Sequence, residues 1–408
     1  MDLLRNTVQP YAWGSPTAIP QLLGVDNPEG TPQAELWMGA HPTAPSRVIR
    51  AEHEISLDQV IAADPELELG APTAERFGGR LPFLFKVLAA RKALSIQLHP
   101  DRAQAEAGFA AEEARGVLRN ARERVYVDDW PKPEILCALT PFEVLAGLRP
   151  AAQAAEILSQ LEVDALATLS DELRADPKPA TVARALATLL SWPQTDRAVL
   201  VADVVEAATR LAESESESES ESESASEFQA AYDAVARMSQ DHPGDIGLLC
   251  SLLMNHVVVQ PGQALFMGAG GIHAYIRGTG VELMANSDNV IRAGLTPKHI
   301  DVPELVRVLD PEVAVPILTA RQVAPGIEEF VTPVPEFQLR RMTADAAALT
   351  LPGDGAPRIL LCVEGTATAV SGDQTLELRR GQSCYLSASD ANVTLTGDAT
   401  LYLASSGE

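Results

Sequence analysis

The spacing of apolar residues changes twice along this 408-residue chain, and those changes limit the folds available to it. In "KALSIQLHPD", Lys92 to Asp101, apolar and polar residues alternate with the period of a strand that has one apolar face. From about Pro150 to Met254 the apolar residues recur at helical spacing, and strand-like alternation returns at Asn255 to Ile276. We therefore predict a barrel domain of residues 1–149 and 255–321 that is interrupted by a mainly helical insertion at 150–254.

The last part of the chain, residues 322–408, again consists of short strand-like runs such as "RILLCVEGTATAV", joined by Gly, Asp and Asn turns. This pattern predicts a second, C-terminal β-barrel. The segment contains no histidine, which excludes a histidine-based metal site there. The predicted fold class is therefore mainly β, with two barrels and a helical inserted domain.

A low-complexity repeat, "ESESESESESES", occupies residues 213–224 inside the helical region. Its like charges repel one another and it has nothing to bury, so we predict a disordered surface loop. An interaction tail is the alternative interpretation.

The charge balance narrows the range of partners. The chain has 31 Lys and Arg against 56 Asp and Glu, a net charge of −25, which opposes binding to nucleic acid or to membrane surfaces. There is no run of eighteen apolar residues and no basic-then-apolar start. The four cysteines are widely spaced without a CxxC pair, as is typical of reduced core thiols. We expect a cytoplasmic protein.

A first pair of possible metal ligands lies on the strand at Lys92 to Asp101, where alternation places Gln97 and His99 on one face. Metal sites need several nitrogen or oxygen donors that converge from separate segments. Taken alone, Gln97 and His99 are better explained as the solvated side of an edge strand.

Three further features favour a binding site. Lys132 and Glu134 are also two residues apart, in "DDWPKPEI". His273 and Tyr275 alternate with apolar residues on a strand that follows a Gly-rich segment, as does Arg277. Cations gather around these motifs in an otherwise acidic chain, as an anionic substrate requires; they are Lys86, Lys92, Lys132, Arg292 and Lys298.

The remaining histidines lie in turns or at element ends, where surface or capping roles outweigh metal ligation; they are His41, His53, His242, His256 and His299. His41 is expected near the mouth of the site. Tyr11, Trp13 and Trp37 are interpreted as barrel packing.

Together these motifs resemble type I mannose-6-phosphate isomerase (phosphomannose isomerase), a family of the cupin superfamily. The resemblance runs in order from Tyr11 to about Leu305 and is carried by "YAWGS", "ELWMGAHPTAPS", "LPFLFKVLAARKALSIQLHPD", "KPE", "LLMNHVVVQPGQALFMGAGGIHAYIRG" and "VELMANSDNVIRAGLTPKHIDVPEL". It implies a cupin-type (jelly-roll) catalytic barrel that holds one zinc ion, and a role in carbohydrate metabolism leading to GDP-mannose. We expect a monomer that acts on a small sugar phosphate.

The same resemblance assigns roles to individual residues. The metal ligands it implies are Gln97, His99, Glu134 and His273, and the catalytic arginine is Arg292. The residues it implies for substrate and phosphate contacts are Lys86, Ser95, Lys132, Glu282 and Lys298. Aldose–ketose interconversion moves a proton between C2 and C1 through an enediolate, whose charge zinc and Arg292 would stabilise. Lys86, Ser95 and Lys298 would then hold the phosphate.

One departure from the family pattern bears on the proton transfer. Many members carry Asn-His before Lys-Pro-Glu, whereas this chain has Trp130 and Pro131. Proline cannot carry a proton, so the general base must be another group. Glu282 is the first candidate and Lys132 the second.

Two other functions remain open at this point. A non-catalytic sugar-phosphate-binding cupin, acting as a sensor or regulator, would fit the missing histidine. An isomerase for another sugar phosphate would use the same chemistry with a different pocket shape.

Overall fold

The structure is a computed structural model that describes residues 1–50, 52–214, 223–345 and 348–407. Much of the Glu-Ser repeat, residues 215–222, lies outside the described residues, so the predicted loop stays a prediction. The helices on either side reach into the predicted range, since one ends at Ser214 and the next begins at Glu223.

The first barrel is built on a sheet to which eleven of the described strands belong. They are β2 (Thr7–Gln9), β3 (Glu35–Gly39), β6 (Phe83–Ala90), β7 (Ile96–Leu98), β8 (Glu134–Ala138), β9 (Phe142–Leu148), β10 (Met254–Val259), β11 (Gln263–Met267), β12 (His273–Ala285), β13 (Ile291–Gly294) and β14 (Ile317–Thr319). A small hairpin beside it consists of β4 (Arg47–Arg50) and β5 (His53–Ser56).

The long strand β12 joins the two walls of this barrel. Its first residues pair with β7 and β9, and its later residues pair with β6 and β8. Strand β6 shows why the interior can be polar. Phe83, Phe85 and Val87 pack into the apolar core on one face, and the alternate residues Leu84 and Lys86 face a cavity.

Of the described helices, five lie among the first strands, and a further one lies between β13 and β14. They are α1 (Ala18–Leu23), α2 (Leu57–Ala63), α3 (Pro65–Leu69), α4 (Ala71–Arg76), α5 (Arg102–Ala114) and α12 (Val302–Val308). Asp101 caps α5 by accepting from the backbone N–H of Gln104 at 2.7 Å, immediately after the strand that carries Gln97.

The helical segment lies between β9 and β10. It comprises α6 (Ala151–Gln160), a 3₁₀ turn (Asp164–Leu166), α7 (Ala167–Ala175), α8 (Pro179–Leu190), α9 (Gln194–Ser214), α10 (Glu223–Asp241) and α11 (Gly247–Leu252). The apolar residues that predicted helices, including Ile157, Val182 and Leu186, are buried in one shared core. None of the described helices is long and apolar enough to cross a bilayer.

A second sheet contains most of the C-terminal strands. They are β15 (Arg321–Ala324), β16 (Ile327–Phe330), β17 (Gln338–Ala344), β18 (Leu349–Leu351), β19 (Arg358–Ser371), β20 (Gln374–Arg379), β21 (Ser383–Leu386) and β22 (Val393–Ser405). The N-terminal strand β1 (Asp2–Leu3) also joins this sheet by pairing with β21, which the sequence pattern did not predict. The prediction of a mainly β fold with a helical insert is confirmed.

Candidate metal centre and substrate cavity

Three buried side chains from separate segments meet at one end of the first barrel. His99 follows β7, Glu134 begins β8, and His273 begins β12. The Nε2 atoms of both histidines lie 3.4 Å from Oε2 of Glu134, and one ligand atom from each residue lies within 4.8 Å of the others. Two imidazoles and one carboxylate converging on a point are a donor set that Zn²⁺ accepts.

The facing atoms of this cluster have no hydrogen-bond partner among the described residues: His99 Nε2, His273 Nε2 and Glu134 Oε2. Buried polar atoms without partners are costly, and a bound cation would satisfy all three. Burial lowers the pKa of His99 to about 4, so its imidazole is neutral and has a lone pair for a metal. Burial alone would raise the pKa of Glu134, but His99 and Lys132 hold it well below its usual range. The residues present therefore fit a divalent metal.

The other ring nitrogens fix which tautomer each histidine adopts. His99 Nδ1 donates to the carbonyl of Asn289 at 2.8 Å, and His273 Nδ1 donates to the carbonyl of Gly271 at 3.1 Å. Both Nε2 lone pairs therefore point to Glu134. Gln97 lies opposite His273 on one side and opposite Arg292 on the other, and its side chain lines the cavity beside the cluster.

The side chain of Asn289 anchors the carbonyl that orients His99. Its Oδ1 accepts from the N–H of Val127 at 2.7 Å, and its Nδ2 donates to the carbonyls of Asp128 and Trp130, each at 2.8 Å. Asn289 is completely buried. The loop before β8 is thus tied through one side chain to a metal-ligand candidate.

A cavity of about 500 Å³ opens beside the cluster, and Glu134 and Gln97 form part of its wall. The structure brings all five cations singled out from the sequence to this wall: Lys86, Lys92, Lys132, Arg292 and Lys298. Ser95 and Glu282 also line it.

Lys86 lies in a buried cluster of acids. Its Nζ is 2.5 Å from Oε2 of Glu282 and 3.4 Å from Oε1 of Glu35. Tyr275 donates its hydroxyl to the other oxygen of Glu282 at 2.7 Å. Burial raises the pKa of Glu282, and Glu134 and Glu35 add to the effect against the pull of Lys86. Glu282 and Glu35 therefore neutralise the charge of Lys86, whereas a phosphate-binding lysine would keep its charge available for the phosphate.

Two of the cations that line the cavity have no acidic partner among the described residues. Within the described ranges, neither Arg292 nor Lys298 has a carboxylate oxygen within 4.0 Å, whereas Lys92 Nζ is paired with Asp241 at 2.7 Å. Burial lowers the pKa of Arg292. Burial, and then the charge of Arg292, lower the pKa of Lys298, so these two cations lie near each other. Such a pair can receive an anion.

Several cavity residues were missed or read otherwise in the sequence. Glu35 and Trp37 share the cavity face of β3, and their spacing of two matches that of Gln97 and His99, which is the signal that could have found them. The residues interpreted as packing, Tyr11, Trp13 and Trp37, line the cavity. Asp288 also lines it and lies 3.4 Å from Nε2 of the buried His41.

Arg277 was grouped with His273 and Tyr275 because the three alternate, but it does not line this cavity. The register shifts between Tyr275 and Arg277, and Arg277 lies 3.6 Å from Glu143 with its side chain 61% exposed. A local irregularity in the strand therefore ends the inward-facing series.

Trp130 and Pro131, which stand where the family pattern has Asn-His, are both buried. The guanidinium of Arg80 lies 4.4 Å from the centre of the Trp130 ring, and that of Arg102 lies 5.8 Å from it. Trp130 thus packs among cations beside the site, and neither residue offers a group that could accept a proton.

The barrel, the His/Glu/His cluster at its end and the adjoining cavity define a metal-binding cupin. A family model, "Phosphomannose isomerase type I, catalytic domain", matches residues 1–151, and another, "Mannose-6-phosphate isomerase, cupin domain", matches residues 326–405. The mannose-6-phosphate isomerase of Escherichia coli (strain K12) is 41% identical over 407 residues, with 98% of each chain covered. That of Rattus norvegicus is 34% identical, with 95% of this chain and 93% of the relative covered.

Solved structures agree with these relatives. The K86A mutant of phosphomannose isomerase from Salmonella typhimurium matches with a TM-score of 0.90 at 34% identity, over 100% of both chains. A zinc-bound mannose 6-phosphate isomerase matches with a TM-score of 0.88 at 34% identity, over 100% of this chain and 99% of that one. The chain belongs to the type I mannose-6-phosphate isomerase family.

The anchoring of Asn289 leads to a testable expectation. Replacing Asn289 by alanine removes the bonds to Val127, Asp128 and Trp130, and so loosens the carbonyl that orients His99. We expect the affinity for Zn²⁺ to fall about 10–100-fold, as is usual when an outer-shell partner of a ligand is lost. Chelator competition on the purified protein measures this. Asn286→Ala is the matched control, since its side chain donates to the carbonyl of Leu81 instead; equal zinc affinity in Asn289→Ala and the wild type would contradict the expectation.

Proposed function

We propose that this protein interconverts mannose 6-phosphate and fructose 6-phosphate with one zinc ion held by Gln97, His99, Glu134 and His273. The observation that carries the proposal is the set of facing ligand atoms that have no partner among the described residues, beside a cavity that Arg292 and Lys298 also line. A sugar phosphate has hydroxyl and carbonyl oxygens at one end and a dianion at the other, which matches that distribution.

When bound, zinc supplies Lewis-acid stabilisation of the substrate oxygens on which negative charge develops. Arg292 acts at the same end, because its backbone lies opposite Gln97 in the sheet, and its guanidinium stabilises the developing enediolate. Lys298 and Ser95 hold the phosphate and thereby orient C1 and C2. Lys86 was expected to bind phosphate, but its ion pairs with Glu282 and Glu35 favour a different task, which is to keep Glu282 ionised.

The proton is carried by a residue of the cavity wall other than the missing histidine. Glu282 is our first candidate, because a buried carboxylate with a raised pKa is a stronger base than an ordinary glutamate. Lys132 is the second, with its Nζ 3.3 Å from Oε1 of Glu134. The aromatic side chains of Tyr11, Trp13 and Trp37 line the cavity and would limit the access of water to the enediolate.

Arg292→Ala tests the activity and the role of Arg292 together. We expect zinc-loaded wild-type protein to convert mannose 6-phosphate into fructose 6-phosphate, and Arg292→Ala to lose about 10²–10³-fold in kcat/KM, the usual effect of removing one oxyanion donor. Fructose 6-phosphate formed over time is the measurement. Arg277→Ala is the control, since that arginine lies outside the cavity. No turnover by the wild type would end the proposal; full activity of Arg292→Ala would end only the role of Arg292.

A sugar-phosphate-binding protein without turnover is a second candidate, favoured by Pro131 at the position of the family histidine. The same assay separates the two, because such a protein would bind mannose 6-phosphate without forming product. Running the assay with other aldose phosphates tests the remaining alternative, an isomerase with a different sugar preference.

The wider setting of the activity belongs to the same proposal. Mannose 6-phosphate formed from fructose 6-phosphate would feed the supply of GDP-mannose. All four cysteines are free and buried in the part of the chain that the structure describes, which suits a reducing cytoplasm. We expect a monomer with no nucleic-acid or membrane partner.

A further inference from the structure

Arg292 lies in β13, and the loop after this strand carries Lys298, so the two segments bring both cations to the cavity. The backbone of this loop is in an unusual conformation: Leu295 has a φ of +52°, in the left-handed region that residues with a side chain rarely adopt. Such a conformation persists only when its surroundings hold it. Leu295, Thr296 and Lys298 all line the cavity, so the held segment is part of the site wall.

Asp245 supplies that hold from the helical segment. Its Oδ1 accepts from the backbone N–H of Leu295 at 3.0 Å, and its Oδ2 accepts from the N–H of Thr296 at 2.8 Å. Oδ1 also accepts from the N–H of Gly247 at 2.7 Å, at the start of α11. One carboxylate thus bridges the first turn of a helix and the strained turn of the cavity loop.

The backbones of the two segments touch directly beneath this bridge. A Cβ added to Gly247 would lie 2.3 Å from the nitrogen of Leu295, and one added to Gly294 would lie 2.5 Å from Cα of Gly247. Both positions therefore need glycine, and the loop rests against α11 without an intervening side chain. The position of the loop is set by the helical segment.

A helix cap alone does not explain Asp245. Capping α11 needs one bond, to Gly247, whereas the other two bonds go to the cavity loop. Among the described residues Asp245 has no cationic partner within 4.0 Å, so backbone N–H groups satisfy its carboxylate. Asp245 does not line the cavity, whereas its neighbours Asp241 and His242 do.

We propose that Asp245 is a positioning residue for the phosphate-binding side of the cavity. By fixing the turn at Leu295 and Thr296, it places Lys298 beside Arg292, so the helical segment takes part in phosphate recognition without touching the substrate. This inference rests on the proposed function, in which Lys298 and Ser95 hold the phosphate of the sugar.

The test compares phosphate binding with metal binding in Asp245→Ser. Serine keeps an oxygen for the N–H of Gly247 but is too short to bridge to both Leu295 and Thr296. We expect the inhibition constant of inorganic phosphate and the KM for mannose 6-phosphate to rise about tenfold, the effect of losing hydrogen bonds worth about 1.4 kcal/mol. The kcat and the Zn²⁺ affinity, measured by chelator competition, should stay within about twofold.

Two further variants serve as a control and as a substitute for Asp245→Ser. Asp64→Ser removes a carboxylate that caps α3 through the N–H of Leu67 at 3.1 Å, away from the cavity, and should leave all four constants unchanged. Asp245→Asn, which has the same shape, gives the same comparison if the serine variant does not fold. An unchanged phosphate constant, or an equal loss of phosphate and zinc binding, in the Asp245 variant that folds overturns the inference.

Lys298→Ala tests the role of Asp245 separately from the proposal that Lys298 binds the phosphate. If Lys298→Ala weakens phosphate binding and the Asp245 variants do not, the phosphate assignment stands and Asp245 has no positioning role. If Lys298→Ala does not weaken it either, the phosphate is bound elsewhere, and both the assignment and the role of Asp245 fall.

Discussion

Replacing His273 by alanine is expected to remove stoichiometric zinc and to abolish isomerase activity in the same sample. His273 is completely buried and its Nε2 faces Glu134 at 3.4 Å. Alanine at this position has no atom that could bind the metal. Loss of a direct ligand should weaken binding by more than the roughly 10–100-fold that loss of an outer-shell partner costs. Metal analysis after dialysis, together with the rate of fructose 6-phosphate formation, measures both effects.

His256→Ala is the matched control for this change. His256 is also a histidine beside a carboxylate, with Nε2 2.7 Å from Oε1 of Glu143, but it does not line the cavity. We expect His256→Ala to retain one zinc per chain. Undiminished zinc in His273→Ala would remove His273 from the ligand set, even if the activity were lost.

The contrast between these histidines shows what the sequence could and could not reveal. Strand alternation placed Gln97 and His99 on one face, but it could not show that His273 pairs with Gln97 across the sheet. That contact joins residues far apart in the chain. The resemblance to a known family supplied this link, and the geometry of His99, Glu134 and His273 agrees with it.

The cationic side of the cavity shows the opposite case. Lysines and arginines near the motifs were expected to serve an anionic substrate, because cations are scarce in an acidic chain, and Lys86 and Lys298 both line the cavity. Their different surroundings could not be predicted. Glu35 and Glu282 neutralise Lys86 from two other strands, and these contacts join residues far apart in the chain.

Asp245 carried no sequence signal at all. It lies in a short segment between two helices, in "HPGDIGLL", where an Asp is commonly a cap. Its bonds to Leu295 and Thr296 depend on how the helical segment rests on the barrel. Hydrophobic periodicity predicted that segment but says nothing about how the two parts meet.

Replacing Glu282 by glutamine is expected to lower kcat about 10²–10⁴-fold, the usual contribution of a positioned base, with little change in KM or zinc content. The amide has nearly the shape of the carboxylate, and its oxygen can still accept from Tyr275, which now donates at 2.7 Å. It cannot take a proton from the sugar. Initial rates over a range of mannose 6-phosphate concentrations measure kcat and KM separately.

A further variant shows whether the lower kcat of Glu282→Gln comes from a lost proton transfer or from a disturbed ion pair with Lys86. Glu35→Gln removes the other acid beside Lys86, at 3.4 Å, and should cost less than about tenfold if Lys86 only needs one anionic partner. An equally large loss in Glu35→Gln would mean that disturbing Lys86 is enough to stop the reaction.

Lys132→Met tests the second candidate base, whose Nζ lies beside Glu134. Both side chains line the cavity. If Lys132→Met loses activity and Glu282→Gln keeps it, then Lys132 is the base.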